Sequence, residues 1–172
     1  SERERHKKFG RKVEGWAACL LPFDRKGGIA GEAFCKGVKR NEAVGLGCAV
    51  NMDTGYANYL TDAEREQVSR WTQESLPAGR DFMGGVFVEG LEGDLVDLYR
   101  RGMDKVVEHG GTPILFQTTR FHDWEPVKIA DLYAQVCEGY ERVVAFELGR
   151  MFAPNGMIFE SETVRCLMAV PS

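Results

Sequence analysis

Residues able to do chemistry cluster where the apolar runs of this sequence end. After "GLGCAV" come Asn51, Asp53, Thr54, Gly55 and Tyr56. Glu89 follows "FMGGVFV", and Gln117, Thr118, Thr119, Arg120, His122 and Asp123 stand at or after the end of "TPILFQT". Glu147 lies within "RVVAFEL", with Arg150 close behind. A carboxylate (Asp53, Glu147), a phenol (Tyr56) or an imidazole (His122) can carry a proton to or from a reacting atom. Arg150 can hold a substrate carboxylate by two parallel hydrogen bonds. Asp53, Glu89, His122 and Glu147 together form an oxygen-rich set with one imidazole, suited to Mg²⁺ or Mn²⁺.

Each residue also has a plainer reading. Asp53 and Thr54 before Gly55 can simply shape a turn, because Asp bonds its own backbone and Gly supplies positive φ. Glu89 before Gly90 can be a solvated loop acid or a helix cap, and His122 an exposed loop histidine. Glu147 is different: an unpaired carboxylate inside an apolar strand is costly, so it needs a function or a partner, and Arg150 is the nearest candidate.

The elements that must position these residues repeat. Apolar runs at 15–23, 45–52, 82–88, 112–118 and 142–148 read as strands, the first ended by Pro22. Helices are expected over 31–44, 61–76, within 91–110, over 126–140 and over 161–170. Thr61 three residues before Glu64 matches a capping box, Pro126 suits a first helical turn, and Ser161 reads as a cap. Leu95, Leu98, Tyr99, Met103, Val106 and Val107 form one helical face. Non-alternating apolar strands joined by helices imply a parallel sheet covered on both faces. Two α/β architectures fit: a doubly wound sheet, or the first five units of a (β/α)₈ TIM barrel. The first strand–helix turn, "PFDRKGGIAGE", is not a dinucleotide cradle, and the strand-end chemistry favours the barrel.

At 172 residues and 44% hydrophobic, the chain can build one packed core. A net charge of −4 argues against nucleic acid or an anionic membrane as partner. No apolar stretch reaches membrane-span length, and the basic start over residues 1–12 reads as a solvated extension, which points to a cytoplasmic protein. The five cysteines are far apart and form no CxxC pair; they read as buried structural thiols.

Three stretches resemble the dihydrodipicolinate synthase/N-acetylneuraminate lyase family of class I aldolases. "LLPFDRKGGIAGEAF" is similar to the family's opening strand and T-P-F-x-x-x-G turn. "NMDTGYANYLTDAERE" parallels its N-G-T-T-G-E turn and L-T-x-x-E-R helix start. "FELGRMFAPNGMIFESETVRCLMAVPS" resembles its Y-N-x-P-G-R segment and following helix. The resemblance spans nearly all of 13–172 and implies a TIM-barrel lyase. Such an enzyme forms a Schiff base between a lysine and a small 2-oxo acid or sugar acid, without cofactor or metal, in a homo-oligomer. Thr54 and Gly55 match the substrate-gripping turn, and Arg150 the segment's arginine.

Departures accompany the match. Asp53 replaces a threonine, Tyr56 a glutamate, and Phe146 the catalytic tyrosine, so Asp53, Tyr56, Glu147 or His122 must take over proton transfer. No expected strand carries a lysine. A complete barrel needs about 250 residues, and the sixth strand with its imine-forming lysine is expected just beyond Ser172, in a longer polypeptide. A metal-dependent lyase or isomerase, or a non-catalytic ligand-binding barrel, are the alternatives.

Overall fold

A computed structural model describes residues 14–153 and 155–170; the expected basic extension over 1–12 lies outside them. The chain runs β1 (Trp16–Ala18), α1 (Gly31–Ala43), β2 (Gly47–Val50), α2 (Asp62–Ser75), β3 (Phe82–Val86), α3 (Leu95–Glu108), β4 (Gly111–Leu115), α4 (Pro126–Cys137), β5 (Val144–Ala145), α5 (Ser161–Met168). All neighbouring strands pair in parallel, and their order in the sheet is β1-β2-β3-β4-β5. A doubly wound sheet reverses direction at a switch point and carries helices on both faces. Here every crossover steps the same way, and right-handed crossovers then put all the helices on one face. The result is a curled half-barrel, five (β/α) units of a TIM barrel.

The two faces of the sheet have separate cores. On the helix side, Cys48 and Val50 pack with Phe34, Val38 and Val68, while Val86 and Leu115 pack with Leu98, Tyr99, Met103, Val106 and Ile129. On the concave side, Ala49, Met83, Ile114 and Phe116 meet Trp16, Phe87, Val144 and Phe146. Burial on both sides is why the strands read as continuous apolar runs rather than alternating ones.

Helix starts follow their local signals. The Thr61 hydroxyl accepts from Glu64 N–H at 3.3 Å while Thr61 N–H donates to the Glu64 carboxylate at 2.8 Å, a complete capping box. Pro126 is the first residue of α4.

Several expectations need correction. The β1 ladder stops at Ala18, short of Pro22, because the chain leaves the sheet for a small turn in which Phe23 bridges Ile29. The cap of α5 is Glu160, without a side-chain bond, not Ser161. Val107 is exposed, since it lies about 100° around α3 from Val106. Only Cys19 and Cys48 are buried; Cys35, Cys137 and Cys166 are half-buried, and all five are free thiols. The Cys19 thiol is pushed up by its hydrogen bond with Cys48 and by burial. Among the described residues no helix is long and apolar enough to cross a membrane.

Candidate functional site

The turn after β2 is held by three devices. Asn51 leaves the strand in the left-handed region at φ 53, and Tyr56 closes the turn at φ 57. Between them, Asp53–Gly55 forms a single 3-10 turn. For side chains of this size such backbone costs on the order of 1 kcal/mol per residue, so surrounding contacts must impose it. Asn51 supplies one: its amide donates to Arg65 O at 3.0 Å and Ser69 Oγ at 3.3 Å. Gly85 supplies another, since a Cβ there would sit 2.0 Å from the Asn51 carbonyl oxygen. Thr54 supplies the third, donating its hydroxyl to Cys19 O at 3.4 Å and tying the turn to the end of β1.

Three of the turn's backbone donors are used within it. Gly55 and Ala57 N–H donate to Met52 O, and Tyr56 N–H donates to Asp53 O. Those N–H groups are therefore engaged, and the Thr54 hydroxyl must swing from Cys19 O to serve a ligand. Gly55 is buried beneath the turn.

Beside this turn a cleft of about 240 Å³ opens on the concave face, lined by Asp53, Tyr56, Asn58, Tyr59, Phe87, Phe116, Phe152 and Asn155. Strand register explains its back wall. Gly85 aligns with Ile114, and Ile114 with Val144; two residues further along, Phe87, Phe116 and Phe146 therefore stand level. Their rings meet edge to face, with centroids 5.9 Å apart for Phe87–Phe116 and 5.2 Å for Phe116–Phe146. Tyr99, buried under β4, donates its hydroxyl to Phe116 O at 2.6 Å and fixes that strand end.

The opposite wall comes from the loop after β5. Leu148 bridges Met157, and Gly156 permits the closure, because a Cβ there would lie 2.2 Å from Leu148 O. Gln117 Oε1 accepts from Leu148 N–H at 3.2 Å and Met157 N–H at 3.3 Å, while buried Asn155 donates to Gln117 O at 2.7 Å. Gln117 and Asn155 thus staple the loop so that Phe152 faces the cleft.

The other expected residues lie elsewhere. Glu89 is a brace: its carboxylate accepts from Thr118 Oγ1 at 2.6 Å, Thr119 N–H at 2.9 Å and Thr119 Oγ1 at 2.5 Å. Partial burial pushes its pKa up, but these hydrogen bonds outweigh burial and hold it below the ordinary carboxylate value. His122 and Arg150 line a separate shallow depression of about 520 Å³ with Met157 and Ile158. Glu147 is exposed, so the desolvation cost that singled it out does not arise, and no ion pair joins it to Arg150 among the described residues. β5 covers only Val144–Ala145, which leaves Glu147 outside the ladder. Among the described residues no three His, Cys, Asp or Glu side chains gather as a metal site, so Asp53, Glu89, His122 and Glu147 do not form the set considered above.

Asp53 and Tyr56 are thus brought together; Glu147, His122 and Arg150 are not brought to the same cleft. Sequence reasoning missed Phe87, Phe116, Tyr59, Phe152 and Asn155. The phenylalanines carried one signal, each standing near the C-terminal end of its apolar run.

Neither a family model nor a curated protein matches the chain. Solved structures do. Dihydrodipicolinate synthase from Agrobacterium tumefaciens superposes with a TM-score of 0.70 at 19% identity, over 92% of this chain and 52% of that one. The enzyme of that name from Rhodopseudomonas palustris gives 0.71 at 17%, over 91% and 50%. The Clostridium difficile protein CdNal, solved with mannosamine, gives 0.71 at 13%, over 92% and 53%. The chain has the dihydrodipicolinate synthase-type fold. It spans about half the length of these structures, and at such identities the likeness concerns fold. The expected partial barrel is therefore the observed one.

Proposed function

We propose that the protein is a lyase of the class I aldolase type acting on a small 2-oxo acid or sugar acid at the cleft beside the 51–56 turn. The observation that carries this reading is the position of that cleft. It opens at the C-terminal ends of β2, β3 and β4 in a dihydrodipicolinate synthase-type half-barrel, the end where barrel enzymes keep their chemistry. Thr54 would grip the substrate carboxylate once its hydroxyl leaves Cys19 O, and Arg150, which lines a separate depression, would join it only after rearrangement. Phe146 has no hydroxyl, so Asp53 and Tyr56, both lining the cleft, would move protons; Glu147 and His122 would act only after rearrangement. None of the five strands carries a lysine. The amine that attacks the 2-oxo carbon, expelling water to form the imine, would come from outside these five units. A homo-oligomer completes the reading.

Borohydride reduction with pyruvate tests it, using the protein as it occurs in its source. The expected product is a lysine adduct heavier by one pyruvic acid less one oxygen. Pyruvate binding without any trapped adduct would overturn the lyase reading in favour of a non-catalytic binding barrel.

A further inference from the structure

We propose that Cys19 and Cys48 are an oxidisable pair: hydrogen peroxide joins them in a disulfide, and the disulfide releases Thr54 from the end of β1. Strand register brings the two thiols together. Cys48 of β2 pairs with Ala17 of β1, so Cys19, two residues further along, projects from the same face of the sheet. Both enter one core with Phe34 and Val38 of α1. The Asn41 amide donates to the Cys19 sulfur at 3.5 Å and to the Cys48 sulfur at 3.8 Å, which gathers the two thiols on one donor. Cys19 also hydrogen-bonds Cys48, and that bond holds the Cys48 thiol below its ordinary pKa against the cost of burial, with help from the Asn41 amide. Glu42 and Arg80, paired at 2.9 Å, act on Cys48 with opposite signs. Cys48 is therefore the member that forms the nucleophilic thiolate.

The step balances with peroxide as the oxidant. The Cys48 thiolate attacks one peroxide oxygen: an S–O bond forms, the O–O bond breaks, and the departing hydroxide takes up the proton that Cys48 released. The Cys19 sulfur then attacks the Cys48 sulfur: the S–S bond forms, the S–O bond breaks, and a second water leaves with the Cys19 proton. Two electrons pass from the thiols to the peroxide. Cys19 is 8% exposed and Cys48 0%, so a water-sized oxidant suits the pair better than a bulky disulfide.

Closing the bond must move β1. Cα atoms offset by two residues on neighbouring strands stand roughly 8 Å apart, whereas a disulfide spans roughly 4.4–6.8 Å. Cys19 is placed to yield, since the β1 ladder ends at Ala18 and the Cys19 N–H bond to Ala49 O at 2.8 Å is its tether to β2. Cys48 lies inside β2 and the 51–56 turn beyond its end, so Cys19 is drawn away from the turn. Its carbonyl oxygen, which accepts the Thr54 hydroxyl at 3.4 Å, goes with it. In the lyase reading, on which the link to substrate rests, the released hydroxyl is free to meet the carboxylate.

Peptide mapping and amide hydrogen exchange, with and without hydrogen peroxide, test the proposal on the protein as it occurs in its source. We expect a linked Cys19–Cys48 peptide, two hydrogens lighter than the separate pair and reversed by dithiothreitol. Amide exchange over 51–57 should be at least about three-fold faster in the oxidised protein. Cys19→Ala keeps the carbonyl that holds Thr54 but removes one sulfur, so peroxide should leave its exchange over 51–57 unchanged. Absence of the linked peptide, a link to other cysteines, or equal exchange in the two states overturns the proposal, as does a peroxide response that persists in Cys19→Ala. The two states of the native protein decide the matter even where the variant fails to fold. Borohydride trapping separates this from the lyase reading. A pyruvate adduct without the Cys19–Cys48 link sinks the switch alone; the link with faster exchange but no adduct sinks the lyase alone.

Discussion

The turn after β2 and the junction between the loops after β3 and β4 use the same residue types, yet their polar atoms are disposed differently. At the junction, the Glu89 carboxylate accepts three hydrogen bonds from Thr118 and Thr119. At the turn, the backbone closes on itself through Met52 O and Asp53 O, and the Asp53 carboxylate and Tyr56 hydroxyl have no hydrogen-bond partner among the described residues. The first arrangement braces two loops; the second presents two titratable side chains to a cleft. Polarity at a strand end therefore marks the rim of a barrel, while the partners of each polar atom separate a brace from a candidate site.

The largest expected effect strikes beneath the turn. Gly85→Ala forces a Cβ against the Asn51 carbonyl oxygen, 2.0 Å away without relaxation, and should cost about 3 kcal/mol in a urea unfolding series. A loss below about 1 kcal/mol would mean that the turn is free to shift and is not imposed by the sheet.

Glu89→Gln should be smaller, about 1 kcal/mol at neutral pH, because solvent screens the half-buried junction. The sign with pH follows from the lowered pKa of Glu89. Its contribution is fully present above the unfolded carboxylate value and is lost as pH falls through the lower folded value. Native and variant stabilities should therefore converge in acid. A constant gap across that window would remove Glu89 as a charged brace.

The smallest stability effect belongs to Asp53→Asn. With no hydrogen-bond partner to lose, it should change stability by less than about 0.5 kcal/mol. Thermal unfolding beside the Glu89 variant checks it, and equal losses at the two positions would erase the contrast between brace and site.

Local chemistry made much of the fold legible. Helix starts are written in nearby residues, as Thr61 and Glu64 show, and both-face burial is written in the unbroken apolar runs. Glu147 failed for a tertiary reason: its apolar neighbours suggested enclosure, but β5 ends at Ala145 and the side chain is exposed. Ser161 failed locally, displaced by one residue as helix boundaries often are.

The sequence by itself determined the five strand–helix units, the capping box on α2 and a polar, glycine-containing turn after the second strand, because each depends on residues within a few positions of one another. Only the tertiary structure decided between barrel and doubly wound sheet, through the strand order. Tertiary placement also aligned Phe87, Phe116 and Phe146 into one wall, brought Asn155 and Phe152 opposite Asp53, and bound Glu89 to Thr118 and Thr119. Register and crossover direction bring together residues far apart along the chain, and no local pattern encodes which distant partner a side chain will meet.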